Sequence, residues 1–223
     1  MKKLTYLYLM VGVISIMGCS DDPAPNAQVS YQFDFVKTQG PIDSRVKANT
    51  IEFSSGFITV REIVFDGESA TGSVSITHEQ VSVIDFATGV STPDLGTVLI
   101  PAGVYTSVNL GIELQDEADD PTVLLIGTYI DGNDVSVPIR FEFNSGEVFE
   151  ANAEGPITLV GDQTALAKIT YAPATWFSAV TPGMLDNATR DSSGTIVISE
   201  TSNANIFTLV ADGLDNATEA VFQ

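Results

Sequence analysis

Ile100-Pro101-Ala102-Gly103-Val104-Tyr105-Thr106-Ser107-Val108-Asn109-Leu110-Gly111-Ile112-Glu113-Leu114 is the most regular stretch of the chain. Pro101-Ala102-Gly103 reads as a tight turn. After it, Val104, Thr106, Val108, Leu110, Ile112 and Leu114 fall on one face, and Tyr105, Ser107, Asn109, Gly111 and Glu113 on the other. Period-2 alternation of this length predicts a long, half-buried antiparallel strand near the centre of a sheet.

The flanking sequence carries the same signal. Tyr31, Phe33 and Phe35 alternate with Gln32 and Asp34, and Thr50 to Phe53 reads as a second strand. Phe57 to Phe65, Val74 to Ile76 and Val81 to Phe86 follow, punctuated by Asp66-Gly67, Gly89 and Pro93. Thr122 to Ile130 is nearly all apolar and suits a strand buried on both faces. Asp131-Gly132-Asn133-Asp134 is a hairpin signal leading into Val135 to Phe143. Val148 to Ala151, Ile157 to Val160 and Ala165 to Tyr171 complete the strand-like runs. The expectation is an all-β chain, an antiparallel β-sandwich.

The last fifty residues change period. Thr175 is placed to cap a short helix at Trp176, and Asn205 to cap a second, in which Ile206, Leu209, Val210, Leu214, Ala217 and Val221 recur at helical spacing. A helical extension over about 174–223 is therefore expected beyond the sandwich. Phe177-x-x-Val180-x-x-Gly183-Met184-Leu185-Asp186-Asn187-Ala188-Thr189 also parallels Phe207-x-x-Val210-x-x-Gly213-Leu214-Asp215-Asn216-Ala217-Thr218. It reads as a duplicated structural device.

The N-terminus sets the location. Met1-Lys2-Lys3 precedes an apolar run from Leu4 to Met17, then Gly18 and Cys19, the only cysteine among 223 residues. Charge, a short hydrophobic segment and a small residue at the exit are the parts of a secretory signal. Fourteen residues (4–17) fall short of the ~20 that span a bilayer as a helix. Ile16-Met17-Gly18-Cys19 resembles the lipobox of bacterial lipoproteins, which implies cleavage between Gly18 and Cys19 and acylation of the Cys19 thiol. Residues 1–18 then form the signal peptide, 19–28 a flexible linker and 29–223 the folded domain. Ser20-Asp21-Asp22 resembles the acidic tract that sends Bacteroidota-type lipoproteins to the outer face of the outer membrane. A domain facing the periplasm is the alternative.

Composition bounds the function. Nine basic residues stand against 29 acidic, a net charge of −20 that deepens when Lys2 and Lys3 leave. Nucleic-acid binding draws on Lys and Arg neutralising phosphates, so no nucleic-acid partner is expected. With Cys19 acylated, no thiol remains for a disulfide or a thiolate metal site. His78 is the only histidine and shares parity with Val74 and Ile76, which reads as a core or edge residue rather than a general base. Gly-x-Ser-x-Gly and phosphate-loop glycine patterns are absent.

Two candidate sites remain. Glu113, Asp116, Glu117, Asp119 and Asp120 crowd the end of the long strand. Calcium takes six to eight oxygen ligands, many of them loop carboxylates, so the cluster is a candidate calcium site or else a solvated acidic loop. Asp131, Asn133 and Asp134 either contribute to it or form an Asx turn. Trp176, with Phe177 and Tyr171, is a candidate sugar platform or else a core plug.

Ile100 to Tyr105 and the strand after it resemble a feature of uncharacterised Bacteroidota surface lipoproteins with immunoglobulin- or transthyretin-like β-sandwich domains. In these, Pro-Ala-Gly-x-Tyr leads into a core strand. The resemblance implies an envelope location and no enzyme activity, with Gly103 permitting the turn and Tyr105 covering the sheet end with its hydroxyl in water. The expected function is a lipid-anchored, non-enzymatic binding, adhesion or assembly protein whose partner is an envelope protein or extracellular glycan. A calcium-assisted glycan-binding module and a carboxylate hydrolase are the alternatives.

Overall fold

A computed structural model of the protein describes residues 25–39, 49–116, 120–214 and 218–223. Gly18, Cys19, Glu117 and Asp119 lie outside the described residues, as do Asp215, Asn216 and Ala217 of the second repeat copy.

The chain enters through β1 (Asn26–Phe35) and β2 (Thr38–Gln39), so strand structure already takes up Asn26 to Gln28 of the stretch read as linker. Next comes β3 (Thr50–Ser69), a single strand where the alternation suggests two, and β4 (Gly72–Asp85) returns along it. The short β5 (Ser91–Thr92) and β6 (Thr97–Pro101) lead into β7 (Gly103–Leu114), the expected long strand. Then follow β8 (Val123–Ile130), β9 (Ser136–Phe143), β10 (Val148–Ala153), β11 (Ile157–Leu159) and β12 (Thr164–Tyr171). The remainder holds α1 (Pro173–Trp176), α2 (Pro182–Asp186), β13 (Ile196–Ile198), α3 (Ala204–Ala211) and β14 (Thr218–Phe222).

β3 organises the sheet. Its first half pairs with β8, from Thr50↔Ile130 to Ile58↔Val123, and its second half pairs with β7, from Val60↔Leu114 to Ser69↔Tyr105. β7 and β8 thus queue along one edge of β3 while β4 occupies the other. The order runs β13-β9-β8-β3-β7-β10-β14-β12-β1-β6. The segment Pro93 to Leu95, which leads into the end strand β6, is bound to β4 by inward side chains. His78 Nε2 donates to the Leu95 carbonyl (2.7 Å), Gln80 Nε2 to Asp94 (2.7 Å) and Ser82 Oγ to Pro93 (2.9 Å). One hydrophobic cluster fills the interior, running from Ala27 to Ala220.

The all-β class with short helices is observed, and the sheet is mixed rather than wholly antiparallel. β1 with β12, β10 with β14, and β9 with β13 are parallel. These partners lie far apart in sequence, where no hairpin turn reports their direction.

The strand parity holds only from Val108 onward. Tyr105 is buried and Val104 is 57% exposed, the reverse of the expectation. The ladder between β3 and β7 skips Thr106, since Glu68 faces Ser107 and Ser69 faces Tyr105. This bulge moves every side chain before it to the other face. Tyr105 therefore points inward, and its hydroxyl donates to the Pro101 carbonyl instead of to water.

The C-terminal extension is only partly helical. Ile206 and Val210 sit on the buried face of α3 as expected, but Thr218–Phe222 is a strand. β14 fills a slot between β10 and β12, and pairing on both edges with Ala220 in the core outweighs the helical spacing. The caps differ as well. Thr175 lies inside α1 and its hydroxyl donates to the Ala172 carbonyl (2.7 Å). Asn203, not Asn205, precedes α3, and its amide donates to the Val197 (2.7 Å) and Thr189 (2.9 Å) carbonyls.

Candidate functional site

The outward faces of β3, β4, β8 and β9 carry a groove of about 490 Å³. Register builds it. Phe57 faces Leu124, which in turn faces Glu142, and Thr59 faces Val83. Phe57, Val83 and Leu124 make an apolar floor, with Asp120 and Glu142 at the rim.

Backbone bonds fix the walls. The Thr59 N–H donates to the Thr122 carbonyl (2.7 Å), and the Gln115 N–H to the Thr59 carbonyl (3.0 Å). Thr122 is buried, and its hydroxyl donates to the Phe143 carbonyl (3.1 Å) while accepting from the Ser145 N–H (3.4 Å). The segment from Asp120 to Thr122 is thus stitched to both β3 and β9. A second hollow of about 370 Å³, lined by Arg61, Glu62, Glu79, Gln80 and Val81, shares Gln115 with the first.

Glu62 and Glu79 of that hollow form one cross-strand row with Glu113 beside it. Glu62 faces Glu79 on β4 and Glu113 on β7. Burial raises the affinity of the Glu62 carboxyl for its proton. A hydrogen bond shared with Glu113 and the Glu113 and Glu79 charges add to this, and Arg61 opposes it. Arg61 Nη1 lies 3.5 Å from Glu113 Oε1.

This arrangement divides the acidic cluster. Glu113 belongs to the row with Glu62 and Arg61, whereas Asp116 and Asp120 are exposed beyond the strand. Among the described residues no group of three His, Cys, Asp or Glu side chains is arranged to hold a metal ion. Asp131 makes an Asx turn, its Oδ1 accepting from the Asn133 (2.8 Å) and Val135 (2.9 Å) N–H groups.

No family model, curated protein or solved structure matches the chain.

Trp176 is fully buried, stacked on Phe149 with ring centroids 5.7 Å apart and planes at 15°. It offers no ring face to a sugar and serves as a core plug beneath α1. Tyr171 is fully buried too, and Phe177 is wedged between Phe53 and Phe141. His78 lies against Tyr31 (6.1 Å between rings) and is bonded to the Leu95 carbonyl.

Sequence reading missed the groove because its floor is assembled from three strands. Its contribution from β4 is Val83, a valine on the polar parity of that strand that is 41% exposed.

Proposed function

We propose that the protein is a lipid-anchored component of a bacterial cell envelope, held to the outer membrane through acylated Cys19 and displayed at the cell surface. Its role is non-enzymatic: binding or assembly of an envelope protein or extracellular glycan. The observation that carries this reading is the Met1–Asp22 sequence, in which the chain's sole cysteine follows a basic start, a short apolar run and Gly18. The domain supports it in two ways. Its one histidine is committed to a backbone carbonyl. The groove on β3, β4, β8 and β9 is an open, apolar-floored face with an acidic rim, a shape that takes up a surface or an extended chain rather than enclosing a small substrate.

The test is intact-mass analysis of native material together with cell fractionation. A diacylglyceryl adduct on Cys19, lost in Cys19→Ala along with membrane association, is the expected result. A free Cys19 thiol in a membrane-independent protein overturns the reading. Protease accessibility on intact cells separates surface display from a periplasmic orientation.

A further inference from the structure

The end of the body where β1 begins differs from the rest of the surface. Four segments meet there: the start of β1, the β3–β4 turn at 69–72, the β6–β7 turn, and residues 155–163 around β11. Pairing joins them, Asn26 to Pro101, Gly103 to Leu159, and Ser69 to Tyr105. The Asp162 N–H also donates to the Asn26 carbonyl (3.0 Å).

This end is sparsely charged. Across residues 25–28, 69–72, 99–104 and 154–163, Glu154 and Asp162 are the two charged side chains, in a protein with 29 acidic residues. Its rim presents aliphatic groups to solvent: Leu99, Val104 and Val160 are 56%, 57% and 48% exposed. Glu52, Asp131, Asp134 and Asp186 gather at the opposite end, around the β8–β9 hairpin and α2.

We infer that the Asn26 end is a membrane-docking face, with Leu99, Val104 and Val160 entering the boundary between lipid headgroups and acyl chains. The inference rests on the lipid-anchor reading and adds to it which face meets the bilayer. Chain length requires the proximity. Asn26 follows Cys19 by seven residues, and an extended chain covers at most ~3.6 Å per residue, so Asn26 stays within ~25 Å of the anchored sulfur. Charge favours the same orientation, because the end with Glu52, Asp131, Asp134 and Asp186 is repelled by anionic headgroups more strongly than the end with Glu154 and Asp162. Aliphatic side chains gain by leaving water at the interface, and a second contact beside the acyl chains fixes the angle of the body. The acidic-rimmed groove and the β8–β9 hairpin are then carried on the part of the body beyond this end.

With Cys19 acylated, an introduced cysteine is a unique labelling handle. Full-length lipidated protein carrying Val104→Cys, Val160→Cys or, at the far end, Asn133→Cys is labelled with a fluorophore and reconstituted in phosphatidylethanolamine/phosphatidylglycerol vesicles containing nitroxide-headgroup lipid. The expected result is quenching about threefold or more stronger at 104 and 160 than at 133. In the Leu99→Asp/Val104→Asp/Val160→Asp variant, quenching of a label at Thr71→Cys should fall about twofold or more from its level without the three substitutions, while the melting temperature is kept; unchanged quenching overturns the docking face. Equal quenching at both ends, with Cys19 shown by mass to be acylated, overturns the docking face and leaves the anchor standing. Shielding of the 104 and 160 labels in detergent, accompanied by a dimer mass, assigns the face to a second copy and also overturns it. A free Cys19 thiol overturns both readings.

Discussion

The Tyr105 hydroxyl donates a 2.7 Å hydrogen bond to the carbonyl of Pro101, closing the turn between β6 and β7 with a side chain from inside the body. The ring meets Phe65 edge-on at 5.3 Å. Tyr105→Phe keeps the ring and removes this hydrogen bond, a loss of about 1 kcal/mol. For a domain of this size that is a drop of about 2–4 °C in melting temperature. An unchanged melt would show that the bond contributes nothing to the turn.

Gly56 lies in the half of β3 that pairs with β8, opposite Leu125. Its φ is +137°, and a Cβ there would overlap the Leu124 carbonyl of the neighbouring backbone. Its own carbonyl accepts from the Phe86 N–H (3.0 Å). Gly56→Ala is therefore expected to cost about 3 kcal/mol or more, from backbone strain and overlap together. Chemical denaturation should show a lower midpoint with little change in slope. A midpoint within error of the parent would mean that β3 and β8 separate enough at this point to admit a side chain.

These two positions also show what the chain discloses before it folds. Alternation at Phe33, Val108 to Leu114 and Val137 to Phe143 marks the core face directly, because a strand has only two faces. The bulge at Thr106 is invisible in the alternation, so the parity of Val104 and Tyr105 inverts. Leu214 to Val221 has helical spacing, yet Thr218–Phe222 becomes a strand because two distant strands leave a slot for it. The repeated Phe-x-x-Val segments likewise diverge. Phe207 and Val210 lie in α3, while Phe177 and Val180 follow α1 in a turn. The groove has the same limitation, since Phe57, Val83 and Leu124 become neighbours only through pairing.

Trp176 is the chain's only tryptophan, which makes its burial directly measurable. Native emission should be blue-shifted and weakly quenched by iodide, turning red and quenchable on unfolding. Its indole N–H has no hydrogen-bond partner among the described residues, so Trp176→Phe breaks no bond and should be the mild substitution. Trp176→Ala leaves a cavity beside Phe149 and is expected to cost about 3–5 kcal/mol. Strong iodide quenching of the native protein would instead place the ring at the surface and restore it as a ligand platform.

Glu62 supplies the pH dependence. Its carboxyl holds its proton more tightly in the folded chain than in the unfolded one, because it is partly desolvated and sits between Glu113 and Glu79. Its contribution to stability is thus complete below the unfolded value of ~4.3 and is lost as pH rises through the higher folded value. At neutral pH the ionised group faces a like charge on either side, which destabilises a cross-strand row by up to ~1 kcal/mol. Glu62→Gln removes that charge while keeping the size and the hydrogen-bonding capacity. Its melting temperature should exceed the parent's by about 1–3 °C at pH 7, with the gain shrinking to nothing as the pH falls below ~4. A variant equally or less stable at pH 7 would mean that attraction from Arg61 outweighs the two carboxylates, and that the row contributes net stability at neutral pH.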